Sequence, residues 1–168
     1  MTIAEGPVIQ LAWVTDDIAA TERLLSEQFG VGAWTRMEDI RFGPDDTTLR
    51  GEPVDFTIHV SLGYAGDLQL ELIQPVSGET VHAEFLAAHG PGLHHLCFAV
   101  DDIEAACERA ESAGVPVLMR GSMMDGEIEF AYVDGSASGA PYIELARIGP
   151  AMQAFYDDVK AKSETRPA

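Results

Sequence analysis

Short runs in which every second residue is large and apolar recur along the chain, and this alternation is typical of half-buried β-strands. Turns rich in Gly, Pro and Asp separate the runs. The spacing predicts eight strands, at residues 8–14, 32–40, 55–62, 68–75, 93–100, 116–120, 127–133 and 141–147.

A sequence repeat divides these strands into two sets of four. The triplet Asp-Asp-Ile at 16–18 recurs at 101–103, an offset of half the chain. Each triplet follows a strand and opens a helix-like stretch, where the aspartate is expected to cap free N–H groups, and each stretch ends at a glycine. Both halves are therefore predicted to be β-α-β-β-β modules of one domain spanning 1–168. The expected bounds are 7–76 and 92–148 for the modules, 78–90 for a linker helix and 149–162 for a C-terminal helix.

One polar segment, residues 42–53, shows neither the two-residue period of a strand nor the period of about 3.6 residues of a helix. It contains Gly-Pro-Asp-Asp at 43–46 and a further glycine at 51. A segment of this composition predicts an irregular loop, and its length makes it a candidate lid.

Polar residues interrupt the face of the strands that the helices are not expected to cover. Successive side chains of a strand face opposite sides, so the large apolar parity is assigned to the helices and the other parity to the opposite face. In the first and last strand of each module that second parity carries a polar residue. The four residues are Gln10, Glu71, His95 and Glu144.

The repeat relates these four residues in pairs, Gln10 with His95 and Glu71 with Glu144. A carboxylate flanked by apolar strand residues is costly when its charge is desolvated and unpaired. Two carboxylates at equivalent positions therefore indicate a shared positive partner, and a divalent cation would serve.

The other histidines are interpreted as structural or surface residues and not as metal ligands. The parity of His94 places it towards the helix layer, and His59 shares its side with small polar residues. His82 and His89 are expected to be exposed on the connecting helix. Tyr132 either lines a pocket or packs in the sheet.

Charge and composition narrow the range of possible binding partners. Of 168 residues, 46% are hydrophobic, which is typical of a globular protein, and 28 acidic against 10 basic residues give a formal charge of −18. Nucleic acids and anionic membranes would be repelled, so neither is expected as a partner. The two cysteines form no metal-type pair, and no signal peptide or membrane-spanning run is seen, so a cytoplasmic protein is expected.

The segment 90–102 reads Gly-Pro-Gly-Leu-His-His-Leu-Cys-Phe-Ala-Val-Asp-Asp, and 70–75 reads Leu-Glu-Leu-Ile-Gln-Pro. Over about residues 8–147 the chain resembles the vicinal oxygen chelate superfamily, which includes glyoxalases, bleomycin resistance proteins and extradiol dioxygenases. The methylmalonyl-CoA epimerase and glyoxalase I branches are the most similar. The resemblance implies an α+β fold in which two βαβββ modules form a cupped, eight-stranded mixed sheet with helices on its outer face. A homodimer is also expected.

The resemblance further implies that Gln10, Glu71, His95 and Glu144 hold a divalent ion, which could be Ni, Co, Mn, Fe, Zn or Mg. Many relatives have histidine at the first position, where this chain has glutamine. The implied activity is that of an isomerase or lyase, in which Glu144 and Glu71 move a proton through a metal-stabilised enediolate or enolate. The substrate would be an acyl thioester, a hemithioacetal or a keto acid.

Two alternatives remain open from the sequence. The first is a metal-free protein of the resistance type that binds a small molecule, which the two mid-strand glutamates disfavour. The second is an extradiol dioxygenase, which needs two histidines and one carboxylate around iron and is disfavoured by Gln10.

Overall fold

A computed structural model describes residues 2–164 of the chain. None of the helices in this range combines the length and the apolar character that crossing a bilayer would require. Within this range lie ten strands and four α-helices: β1 (Val8–Val14), α1 (Ile18–Phe29), β2 (Thr35–Phe42), β3 (Thr47–Leu49), β4 (Glu52–Pro53), β5 (Phe56–Ala65), β6 (Leu68–Ser77), α2 (Val81–His89), β7 (Gly92–Ala99), α3 (Ile103–Ser112), β8 (Val117–Met123), β9 (Ile128–Asp134), β10 (Tyr142–Ile148) and α4 (Pro150–Glu164).

All ten strands form one mixed sheet in the order β2-β5-β6-β1-β7-β10-β9-β8-β3-β4. The first strands of the two modules, β1 and β7, pair antiparallel at its centre, and each pairs in parallel with the last strand of its own module, β6 or β10. This arrangement confirms the predicted α+β class. The strand count is ten rather than eight because the polar segment between β2 and β5 also forms strands.

Helices α1 and α3 begin where the repeated Asp-Asp-Ile triplets predict. The Asp17 and Asp102 carboxylates accept hydrogen bonds from the backbone N–H groups of Ala20 and Ala105, at 2.9 and 3.0 Å. Both helices pack on the outer face of the sheet, where the apolar parity of the strands meets them. Under α1 lie Leu11, Trp13, Leu70 and Leu72, and under α3 lie Ala131, Val133, Ile143 and Leu145.

The segment predicted as an irregular lid is instead a short hairpin of β3 and β4. Strand β3 pairs with β8, at the edge of the sheet opposite β2. Residues 43–46 are all that separates β2 from β3, and a chain of this length reaches at most about 18 Å. The two edges of the sheet must therefore curl towards each other, and we call residues 43–53 the strap.

Helices α2 and α4 lie on the inner face of the curled sheet, whereas all helices were expected outside. Phe85 of α2 and Val159 of α4 belong to the same buried cluster as inward-facing side chains of β5, β6 and β9. Both ends of α4 are fixed. The Ala151 N–H donates to Glu127 Oε2 at 2.8 Å, and the Ser163 hydroxyl donates to the Ala33 carbonyl at 2.8 Å. Helix α4 thus forms a roof over the concave side.

Candidate metal centre

The four polar residues singled out in the sequence meet at the centre of the sheet. They lie on β1, β6, β7 and β10, which are adjacent strands. His95 Nε2 is 3.0 Å from Glu144 Oε2, 3.3 Å from Gln10 Oε1 and 3.6 Å from Glu71 Oε2. Three oxygen atoms from three strands therefore surround one imidazole nitrogen.

This cluster is withdrawn from solvent. His95 is fully buried, and the side chains of Glu144 and Glu71 are only 9% and 15% exposed. Burial raises the pKa of the Glu71 carboxyl well above its usual value, and the negative charge of Glu144 raises it further. The Glu71 carboxylate therefore lacks adequate compensation from the protein alone.

A chain of contacts behind His95 determines which of its nitrogens carries a proton. His95 Nδ1 lies 2.9 Å from His94 Nδ1, and His94 Nε2 lies 3.4 Å from the Val81 carbonyl oxygen. Because a carbonyl only accepts, His94 Nε2 is the donor there, which leaves His94 Nδ1 to accept from His95 Nδ1–H. In neutral His95 the lone pair then lies on Nε2, the nitrogen that faces the three oxygens.

A second chain of contacts orients Gln10. Its Nε2 donates to Gln69 Oε1 at 2.6 Å, and Gln69 Nε2 donates in turn to the Tyr64 hydroxyl at 2.9 Å. These bonds turn the amide oxygen of Gln10 towards His95. Gln69 lies on the face that parity predicts, but the sequence offered no signal for this orienting contact.

The cluster fits a divalent cation. Two carboxylates and one amide oxygen converge on a single imidazole nitrogen, and a cation among them would compensate the buried negative charge. The metal-binding atoms of Glu71, His95 and Glu144 all lie within 4.8 Å of one another. Neighbouring ligands of an octahedral ion with bonds of 2.0–2.1 Å are separated by about 3 Å, so a small adjustment would complete the site.

The prediction that His94 and His95 face opposite sides is wrong. The pairing of β1 with β7 matches Ala12 to His95 and Trp13 to Leu93, so the register skips His94. Such a bulge interrupts the alternation of side chains, and here it leaves the two neighbouring rings in contact. His94 is fully buried and stacks on Tyr142.

A cavity of about 90 Å³ opens beside the cluster, under the roof. Glu71, Glu144, His82 and Tyr132 contribute to its walls, and among the described residues no lysine or arginine does. The remaining lining is largely apolar and comprises Met37, Ile40, Phe42, Phe56, Ile58, Val60, Leu62, Ile73, Met123, Ile128, Phe130, Met152, Phe155 and Tyr156.

The expectation that His82 is exposed is also wrong, because the residue is only 2% exposed. It is the second residue of α2, and α2 packs on the inner face of the sheet instead of the outer one. Exposed His89 on the same helix agrees with the prediction.

Two buried groups adjoin the Glu144 carboxylate. The Tyr132 hydroxyl and the Cys97 thiol both hydrogen-bond with Glu144, and burial raises the pKa of each well above its usual value. Both groups therefore stay protonated, and Cys97 is an unreactive thiol. Tyr132 lines the cavity and also packs in the buried core cluster, so it has both of the roles that the sequence left open for it.

Solved structures share this fold. Methylmalonyl-CoA epimerase from Mycobacterium tuberculosis is 21% identical, with a TM-score of 0.60 over 92% of this chain and 95% of that chain. A hypothetical protein from Bacillus halodurans C-125 is 18% identical, with a TM-score of 0.63 over 85% and 94%. Streptomyces coelicolor methylmalonyl-CoA epimerase in complex with 2-nitronate-propionyl-CoA is 17% identical, with a TM-score of 0.56 over 86% and 96%. At these identities the similarity establishes the fold alone.

Sequence comparison leads to the family. None of the curated proteins compared with the chain matches it significantly. The model of the glyoxalase/bleomycin resistance protein/dioxygenase superfamily, however, matches residues 9–132, which is most of the chain and includes three of the four clustered residues. The paired modules, the curled sheet and this match together show that the chain belongs to the glyoxalase/bleomycin resistance protein/dioxygenase superfamily.

Proposed function

We propose that the chain is a divalent-metal-dependent isomerase or lyase of the glyoxalase or methylmalonyl-CoA epimerase type. One observation carries this proposal: His95 Nε2 lies 3.0–3.6 Å from oxygens of Gln10, Glu71 and Glu144, and this convergence of one imidazole and three oxygens suits a divalent cation. The substrate class is an acyl thioester, a hemithioacetal or a keto acid. A bound divalent ion would act as a Lewis acid and stabilise the negative charge that develops when a proton leaves the carbon beside a carbonyl.

Glu71 and Glu144 are the proposed acid/base pair. Both line the cavity from adjoining parts of the sheet, so each can reach a substrate held there. Tyr132 and Cys97 adjoin the Glu144 carboxylate and orient it.

The other two residues, His95 and Gln10, are proposed to hold the ion and not to transfer protons. His95 is oriented through His94, and Gln10 through Gln69, so neither side chain has freedom to turn away. The apolar walls exclude water from the reacting carbon, which protects a carbanion-like species from random protonation. This arrangement supports proton transfer and not oxygen chemistry, because a single histidine stands among the four candidate ligands.

The test is the metal content per chain, measured by elemental mass spectrometry on tag-free protein. Wild type is expected to hold close to one transition-metal ion after incubation with Ni²⁺, Co²⁺, Mn²⁺ or Zn²⁺. The double variant Glu71→Gln/Glu144→Gln should hold less than about a tenth of that amount, because two anionic ligands become neutral amides. Glu108→Gln, the same change on the exposed side of α3, is the matched control and should bind like wild type.

Proton exchange in heavy water, followed by NMR, then tests the chemistry on the three substrate types. Glu144→Gln is expected to slow exchange by roughly 10²- to 10⁴-fold, the usual contribution of a general acid or base. A wild-type protein that stays empty with all four ions would refute the enzyme proposal. The apolar cavity would then favour a metal-free binding protein.

A further inference from the structure

His82 is a buried side chain without a partner. Neither of its ring nitrogens has a hydrogen bond among the residues that the structure describes, and no other buried side chain in that range shares this condition. The ring is 2% exposed and contributes to the wall of the cavity. An unsatisfied buried polar group is costly, so its presence calls for an explanation.

Packing against aromatic neighbours does not by itself explain why a histidine lies at this position. The His82 ring lies among aromatic neighbours, edge-on to Tyr132 with centroids 5.0 Å apart and tilted against His94 at 4.8 Å. A phenylalanine could make the same contacts without two unpartnered nitrogens. What histidine adds at this position is hydrogen-bonding capacity beside the cavity, on two nitrogens that are buried and that a ligand would reach when the ring turns towards it.

The surroundings define which group could use that capacity. A neutral imidazole, the form that suits these apolar and aromatic surroundings, carries one donor and one acceptor nitrogen. The cavity wall also holds two glutamates and, within the described residues, no basic side chain. A carboxylate or phosphate beside His82 would meet no counter-charge there. A neutral oxygen in an otherwise apolar group would fit.

We propose that His82 is a specificity-determining residue that donates a hydrogen bond to a neutral oxygen on the part of the substrate that does not chelate the metal. The preferred substrate is then a small molecule with two chelating oxygens at one end and a mainly apolar remainder bearing one ether, carbonyl or hydroxyl oxygen. This inference rests on the proposed function, because the chelating end is assigned to the metal centre.

A second metal site is the competing interpretation, since His82, His94 and His95 are close enough to bind an ion. The contacts of His94 argue against it. Its Nδ1 is engaged with His95 and its Nε2 with the Val81 carbonyl, so His94 has no free nitrogen to offer.

The experiment uses hydroxamates, which chelate divalent ions through two adjacent oxygens, as probes of the metal-loaded protein. Butyrohydroxamate and methoxyacetohydroxamate have tails of equal length that differ only in one ether oxygen. A second pair, pentanohydroxamate and 3-methoxypropanohydroxamate, reaches one atom further. Calorimetry gives the ratio of the two dissociation constants within each pair, for wild type, His82→Phe, His82→Gln and the control His89→Phe on the exposed side of α2.

In at least one pair, His82→Phe should weaken binding of the ether probe relative to its alkyl counterpart by about five- to tenfold. This is the effect expected from the loss of one hydrogen bond. His82→Gln should retain part of the wild-type ratio and His89→Phe all of it, with metal content unchanged throughout. An unchanged ratio in His82→Phe overturns the role of His82 and leaves the metal centre standing. If no hydroxamate binds the loaded protein, the chelating site itself fails.

A measurement on the unsubstituted chain covers the case in which His82→Phe does not fold. Long-range ¹H–¹⁵N spectra of the Zn²⁺-loaded protein report the hydrogen bonding of each imidazole nitrogen. The protonated nitrogen of His82 should shift on addition of the ether probe and not on addition of its alkyl counterpart. Equal shifts with both probes would contradict the proposal.

Discussion

His82 and His94 are buried with no anionic side chain in hydrogen-bonding contact, and burial lowers the pKa of both imidazoles, that of His82 to about 3. In the unfolded chain a histidine titrates near 6.5. Between these two values the unfolded state binds more protons than the folded state, so acid favours unfolding. The stability that neutral histidine contributes is complete above about pH 6.5 and is lost as the pH falls towards 3.

We therefore expect His82→Phe to reduce the acid sensitivity of the metal-free protein. Lowering the pH from 7.5 to 5 should cost wild type about 2 kcal/mol more than it costs the variant, since each pKa unit corresponds to about 1.4 kcal/mol. Urea unfolding at the two pH values gives both differences. His89→Phe should behave like wild type, and equal pH dependence in wild type and His82→Phe would contradict the assignment.

Strand parity was sufficient to select Gln10, Glu71, His95 and Glu144, because alternation within a strand is a local property. It misplaced His94, since a bulge depends on how two strands pair and leaves no mark in a single sequence. It gave no information on His82, whose burial follows from which face of the sheet α2 covers. The contacts that orient the candidate ligands are tertiary and were likewise not predictable.

Among the elements, the strap differs most from the sequence prediction. A strand of three residues is too short to show alternation, so β3 could not be distinguished from a loop. Its pairing with β8 depends on Gly121, where an added Cβ would lie 2.3 Å from the Phe130 ring and 2.7 Å from Thr47 Cγ2. A residue without a side chain is thus required where β3, β8 and β9 meet.

Gly121→Val should therefore detach the strap and lower the free energy of unfolding by roughly 1–3 kcal/mol, the usual range for overpacking. Hydrogen exchange should accelerate at the Arg50 N–H, which donates to the Leu118 carbonyl at 2.7 Å. Gly43→Ala is the control within the strap, because a Cβ there meets nothing within 4 Å. Comparable exchange in the two variants would show that the close packing at β8 is unimportant.

For the whole molecule, the large excess of negative charge acts against the compact state. Like charges on one small surface repel, and salt screens that repulsion over about 10 Å at 0.1 M. The ion pairs on this surface, such as Arg50 with Glu84 at 2.7 Å, are largely exposed and contribute little to stability.

Thermal unfolding should thus depend on salt, with a Tm that rises by several degrees between 20 mM and 300 mM NaCl. The double variant Glu27→Lys/Glu108→Lys changes two exposed helix positions and brings the formal charge from −18 to −14, so its Tm should rise less. Differential scanning calorimetry on metal-free protein measures both. A Tm that falls with salt would mean that attractive pairs outweigh the net repulsion.

The modular repeat was visible in the sequence because it preserves a motif at a fixed offset. The position of α4 over the concave side of the sheet was not visible in the sequence, because the composition of α4 is that of an ordinary surface helix. Its anchoring at both ends shows which face it covers.

The strap also bears on how the chain is made. Strand β3 leaves the ribosome some 70 residues before its partner β8, and at about 5–20 residues per second the gap lasts about 4 to 14 seconds. For most of that interval β1 also lacks β7, so the nascent first half exposes unpaired strand edges. Completion of the first module is thus deferred until most of the second has been translated, and the two repeats cannot fold one after the other as independent units.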